Sequence, residues 1–190
     1  MLSKYEPWLT PRAAFLITGG ICAALLASAH LFERVGGLVP CLLCLDQREV
    51  HWTALTVAGL GLVANLFGLG RMAMAAGLAA LTLVLLWSTG LAGYHAGVEW
   101  DFWDGPMACA STAGAAPSVD VDPTDILGSL DSAGPTGPSC EEAAWRMFGI
   151  SMAGYNALIS LGLALFTTAA AWRLVRPAAP ANIKAQGDIA

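Results

Sequence analysis

Four long stretches without Asp, Glu, Lys or Arg constrain this chain more than any other feature. Ala13–Phe32 lies between Arg12 and Glu33, and Val50–Gly70 between Glu49 and Arg71. Met72–Val98 lies between Arg71 and Glu99, and Met147–Trp172 between Arg146 and Arg173. An apolar run of about 18 residues is long enough for a helix to cross a bilayer. All four are rich in Leu, Ala, Val and Gly, and small residues let membrane helices approach closely. The composition agrees: 56% hydrophobic, only 12% charged, mean hydropathy +0.62. A soluble domain of 190 residues has too little polar surface on these terms. A soluble enzyme and a disordered tail are therefore poor fits. A nucleic-acid binder is further opposed by the net charge of −5, since phosphate binding needs clustered Lys and Arg.

The expected fold is an all-α integral membrane protein, a four-helix bundle forming one domain. Its helices are expected at about 13–32, 50–70, 72–94 and 147–172, the third leaving the bilayer near Gly93 or Tyr94. The first is long for a signal-peptide core, and Glu33-Arg34 follow where a cleavage site wants small residues, so it is read as an uncleaved helix. Lys and Arg near helix ends set orientation. Lys4, Arg12, Arg71, Arg173, Arg176 and Lys184 lie on one side, and Arg34, Arg48 and Arg146 on the other. The richer side is the cytoplasmic one, so both termini, with the tail 173–190, are cytoplasmic. Segments 33–49 and 95–146 face outward. The second of these holds nine acids and no Lys or Arg between residues 95 and 145. Two readings stand: a solvated loop, or a docking surface for a partner with a basic rim. Within it, Ile126, Leu127 and Leu130 have the spacing of one short amphipathic turn resting on the membrane surface.

Of five cysteines, four fall on the outer, oxidising side, where disulfides persist. Cys22, inside the first helix, reads as a small buried hydrophobe. A Cys109–Cys140 bond would close a loop of about 30 residues and stabilise by roughly 3–4 kcal/mol in the chain-entropy model. By itself that pair reads first as a staple. A Cys41–Cys44 bond closes almost no loop, so entropy gives little reason for it. C-x-x-C is instead a dithiol redox spacing or half of a zinc site. Zinc needs four ligands, no His lies beside Cys109 or Cys140 in sequence, and neither belongs to a second C-x-x-C, so no metal is expected.

Redox chemistry fits the surroundings better. Gly36-Gly37 and Pro40 read as a turn with Pro at or near the first helical position. Cys41 and Cys44 then lie in the first turns, where exposed N–H groups and the helix dipole favour thiolate. At about 100° per residue, Arg48 falls about 20° from Cys41, Cys44 about 60° from it, and His51 about 20° from Cys44. Two thiols, a guanidinium and an imidazole thus share one stripe. Arg48 reads either as a snorkelling anchor or as part of a site, and His51 as a packing residue.

These features, with G-Y-H-A-G-V-E-W leading to Cys109 and C-E-E-A-A-W-R-M-F-G-I-S-M-A-G-Y-N from Cys140 into the fourth helix, resemble the DsbB family of bacterial inner-membrane thiol oxidases. The likeness covers about residues 13–172. It implies a relay. A periplasmic thioredoxin-fold oxidase, DsbA-like, is reoxidised by the Cys109–Cys140 pair, Cys109 forming the mixed disulfide. Electrons pass to Cys41–Cys44 and on to a membrane quinone, ubiquinone or menaquinone. Cys44 matches the thiolate that contacts the quinone, with Arg48 beside it and His95 close by; by residue type alone His95 reads equally as an interfacial histidine. Leu45, Asp46 and Gln47 depart from the family, where many members carry an aromatic and an acid. The established potential of DsbA itself, about −120 mV, is strongly oxidising and suits a quinone acceptor. Two other readings are a vitamin K epoxide reductase-like thiol–quinone enzyme and a non-catalytic scaffold with structural disulfides. The first would favour a late C-x-x-C or a fused thioredoxin domain, and neither is present.

Overall fold

The computed structural model describes residues 7–106 and 139–176. Cys109 and the turn expected at 126–130 lie outside them, as do Lys4 and Lys184. Four long helices dominate: α1 (Pro11–Arg34), α2 (Leu42–Leu66), α3 (Arg71–Val98) and α4 (Met152–Val175). A short 3-10 turn, Pro7–Leu9, precedes α1. A minimal hairpin, β1 (Arg146–Met147) with β2 (Ile150–Ser151), precedes α4. That hairpin is the one departure from an all-helical chain among the described residues.

By length and composition α1, α3 and α4 are apolar enough to cross a membrane, with mean hydropathies of 1.9, 1.8 and 1.6. The α2 helix is as long, but Asp46, Arg48 and Glu49 ride on its first two turns. Outward faces carry Leu60, Leu83, Leu86, Leu158 and Leu165, all exposed. An aqueous surface would not tolerate so many large apolar side chains together, whereas lipid does.

The helix limits differ from those expected, for local reasons. The second helix starts at Leu42, not Val50, because its charged residues are accommodated on helix rather than ending it. It stops at Leu66, and Gly68 (φ +69°) turns the chain into α3. The fourth starts at Met152, because Phe148 (φ +51°) and Gly149 (φ +81°) make the hairpin turn first and Ser151 then caps the helix.

Packing runs α1 against α2, α2 against α3, and α3 along α4. The core gathers around fully buried Phe15, with Leu78, Leu81 and Leu85. A Cβ on Gly61 would collide with the Phe15 ring, and one on Gly19 would lie 3.3 Å from Ala58. Small residues therefore set the helix spacing, as the sequence indicated. Cys22 is fully buried and free. A second, smaller core of Cys41, Leu43, Val98 and Cys140 closes one end of the bundle.

Candidate active site

The cysteine motif sits at that closed end. The α1 helix finishes with Val35 N–H on Leu31 O (2.8 Å) and Leu38 N–H on Phe32 O (3.2 Å), and Gly37 (φ +66°) redirects the chain. Cys41, not Pro40, begins α2: it is the N-cap, and its Sγ accepts the Cys44 N–H at 3.3 Å. A thiol thus occupies the position where Ser or Asp usually caps a helix. Cys41 and Cys44 are free, and the Cys41 thiol donates to Cys44 Sγ at 2.9 Å. This hydrogen bond, and burial after it, push the Cys41 thiol well above its ordinary range. Cys41 is therefore the partner that keeps its proton.

Cys140 is disulfide-bonded and fully buried. Its Sγ, Cys41 Sγ and a ring nitrogen of His95 all lie within 4.8 Å of one another. His95 Nε2 is 3.6 Å from Cys41 Sγ, and the ring also hydrogen-bonds the Cys140 backbone. The fold thus brings a histidine to Cys140 that sequence proximity did not. Cys41, Cys44, Cys140 and His95, all taken from the sequence as site residues, meet here. Cys109 lies outside the described residues.

Arg48 faces α1, where it pairs with Glu33 and donates to Ala29 O at 3.3 Å. Sequence reading missed Glu33, which no local spacing connects to Arg48. Cys44, Gln47, Arg48, His51 and His95 border one cavity of about 300 Å³, walled by Leu26, Phe32, Val39, Trp145 and Ile159. His51 is buried, as a packing residue would be, with Nε2 2.7 Å from Asn156 Oδ1. Gln47 and Asn156 were also missed. Asn156 carries a signal, an uncharged amide inside an otherwise apolar stretch, a costly placement unless partnered, whereas Gln47 lies between Asp46 and Arg48 and carries none.

The chain after α3 explains the G-V-E-W run. Trp103 folds back, donating Nε1–H to Tyr94 O at 3.0 Å and stacking on the Tyr94 ring. Its indole lies on Gly97, where a Cβ would overlap the ring. Gly97→Ala is expected to displace Trp103 and cost about 1–3 kcal/mol, as overpacking does. Thermal unfolding in detergent checks this, and an unchanged midpoint contradicts it.

Glu99, which follows α3, is buried, with Oε1 3.8 Å from His95 Nε2. Burial raises its carboxyl above the usual range, against the Ser151 hydroxyl and the Arg146 guanidinium. The folded state therefore holds this proton more tightly than the unfolded chain does. Its contribution is full below pH 4.5, the ordinary value, and is lost as pH rises through the folded value. Glu99→Gln stays neutral, so its unfolding midpoint should gain on wild type as pH rises from 4.5 toward neutral. A difference independent of pH would show that Glu99 does not titrate this way.

A helical bundle of membrane character with a dithiol, a disulfide and a histidine in contact at one end defines a class: membrane proteins of thiol–disulfide chemistry. A family model described as disulfide bond formation protein DsbB matches residues 11–170. Similar proteins include disulfide bond formation protein B of Marinobacter nauticus, 32% identical over 82% of this chain and 91% of the relative. The protein of that name from Methylococcus capsulatus is 29% identical over 87% of this chain and 96% of its own length. The chain belongs to the DsbB family, and it is a disulfide-generating membrane oxidoreductase.

Proposed function

We propose that this protein is a protein-dithiol:quinone oxidoreductase of the bacterial inner membrane, with four spanning helices and both termini cytoplasmic. The observation that carries the reading is the approach of disulfide-bonded Cys140 to free Cys41, within 4.8 Å. Exchange needs a thiolate to reach a disulfide sulfur. A thiolate of a DsbA-like periplasmic oxidase attacks Cys109, forming a mixed disulfide and releasing Cys140 as thiolate. The partner's second thiolate then displaces Cys109. Cys140 attacks Cys41 of the oxidised inner pair: the Cys41–Cys140 bond forms, Cys41–Cys44 breaks, and the electron pair leaves on Cys44. Cys109 attacks Cys140, the outer disulfide re-forms, and Cys41 is released. Two electrons have then moved inward.

The cavity beside Cys44 suits a quinone ring: its walls are apolar, and a few polar groups converge on it. When bound, a quinone supplies an acceptor for two electrons and two protons. Cys44, Arg48 and His95 are the residues that would hold it. Arg48 favours negative charge on Cys44 and would do so on a ring oxygen.

A Cys140→Ser variant tests the order of events. It should trap a periplasmic thioredoxin-fold protein as a disulfide through Cys109. Capture through Cys41 instead, or no capture, would contradict the assignment.

A further inference from the structure

A chain of amide hydrogen bonds runs through the site, and its direction is fixed at one end by the backbone. The carbonyl of Leu43, between the two inner cysteines, can only accept, and Gln47 Nε2 donates to it at 3.1 Å. The same Nε2 lies 2.7 Å from His95 Nδ1. Gln47 Oε1 accepts from Asn156 Nδ2 at 2.6 Å, so the Gln47 amide is held from both ends. Asn156 Oδ1 in turn takes Ser160 Oγ–H at 3.2 Å. A ring nitrogen that accepts a hydrogen bond carries no proton, and the other nitrogen of a neutral imidazole must carry it. That nitrogen, Nε2, is the one 3.6 Å from Cys41 Sγ, with Cys140 Sγ in the same cluster. Glu99 Oε1, at 3.8 Å, is too far to claim the proton by a hydrogen bond, and the acceptor beside it is the Cys140 backbone carbonyl.

We propose that Gln47, aligned by Leu43 O and Asn156, is a positioning residue that locks His95 as the Nε2–H tautomer, with that N–H shared between the Cys140 backbone carbonyl and Cys41 Sγ at 3.6 Å. A thiolate at Cys41 is then met by a fixed donor. The same lock argues against a metal at this cluster, because a coordinating Nε2 would need the proton on Nδ1, facing an amide that also donates. The functional consequence rests on the proposed relay, but the tautomer does not.

The test is nitrogen-15 NMR of histidine-labelled full-length protein in detergent, with His95 assigned by substitution. Wild type should show Nε2–H. Gln47→Glu replaces the donor by an acceptor and should move the proton to Nδ1, and Gln47→Met should give a mixture. In a chain carrying Cys22→Ala, Cys44→Ala, Cys109→Ala and Cys140→Ala, Cys41 is the remaining thiol. There Gln47→Glu should slow Cys41 alkylation at neutral pH by about tenfold, one unit of thiol acidity. Gln47→Met, which adds no charge, should lie between. An Nδ1–H proton in wild type, a tautomer indifferent to Gln47, or unchanged alkylation in both variants overturns the proposal. Wild-type protein that shows the Nε2–H tautomer yet fails to turn over with partner and quinone would support the lock and remove the relay.

Discussion

Cys41→Ala is expected to reduce quinone-coupled oxidation of a soluble dithiol to the uncatalysed background. Without Cys41, the Cys140 thiolate has no inner disulfide to attack, because Cys44 alone cannot form one. Fold loss is the obvious confusion, since Cys41 is buried and caps α2. Losing an N-cap costs about 1 kcal/mol, which a bundle of this size tolerates. Cys41→Ser keeps a capping oxygen and should be just as inactive. In both variants the outer pair should still exchange with the partner once, stoichiometrically, and then stop. Sustained turnover in either variant would mean that electrons bypass Cys41.

Arg48→Ala should lower kcat/KM for quinone by about tenfold to hundredfold. Removing a preorganised charge at a developing oxyanion typically costs about 10²–10³ in rate. Glu33 offsets part of the Arg48 charge through its ion pair, so the lower part of that range, or less, is expected. The loss should fall mainly on KM for quinone, with exchange between the outer pair and the partner little changed. Arg48→Lys keeps the charge but not the planar fork that reaches Glu33 and Ala29 O together, and should be intermediate. A mere membrane anchor would instead lower the amount of folded protein and leave its quinone kinetics normal. Steady-state kinetics normalised to folded protein separate the two.

The four helices were legible because charge is expensive in hydrocarbon, so its absence marks where helices run. The same rule misplaced the start of α2, where Asp46, Arg48 and Glu49 sit on helix rather than before it. Cys41, Cys44 and Arg48 were legible because they lie within two turns, where helical geometry alone relates them. His95 is 54 residues from Cys41, and only the family likeness pointed to it. Glu33, Gln47 and Asn156 were not legible, since their partners lie across helix interfaces: Arg48 on α2 for Glu33, and Asn156 on α4 for Gln47. A sequence shows that a buried amide needs a partner, but not which helix supplies it. Gly97 belongs to the same class, because only the returning Trp103 reveals why no side chain fits.

In the proposed relay, both cysteine pairs pass electrons to a quinone. Purified protein, fully reduced and kept anaerobic, should be mixed with a soluble ubiquinone analogue and its free thiols counted by mass after alkylation. Cys41, Cys44, Cys109 and Cys140 should become protected while Cys22 stays alkylated, with quinol formed in step. Four thiols still open to alkylation, with quinone unchanged, would contradict it.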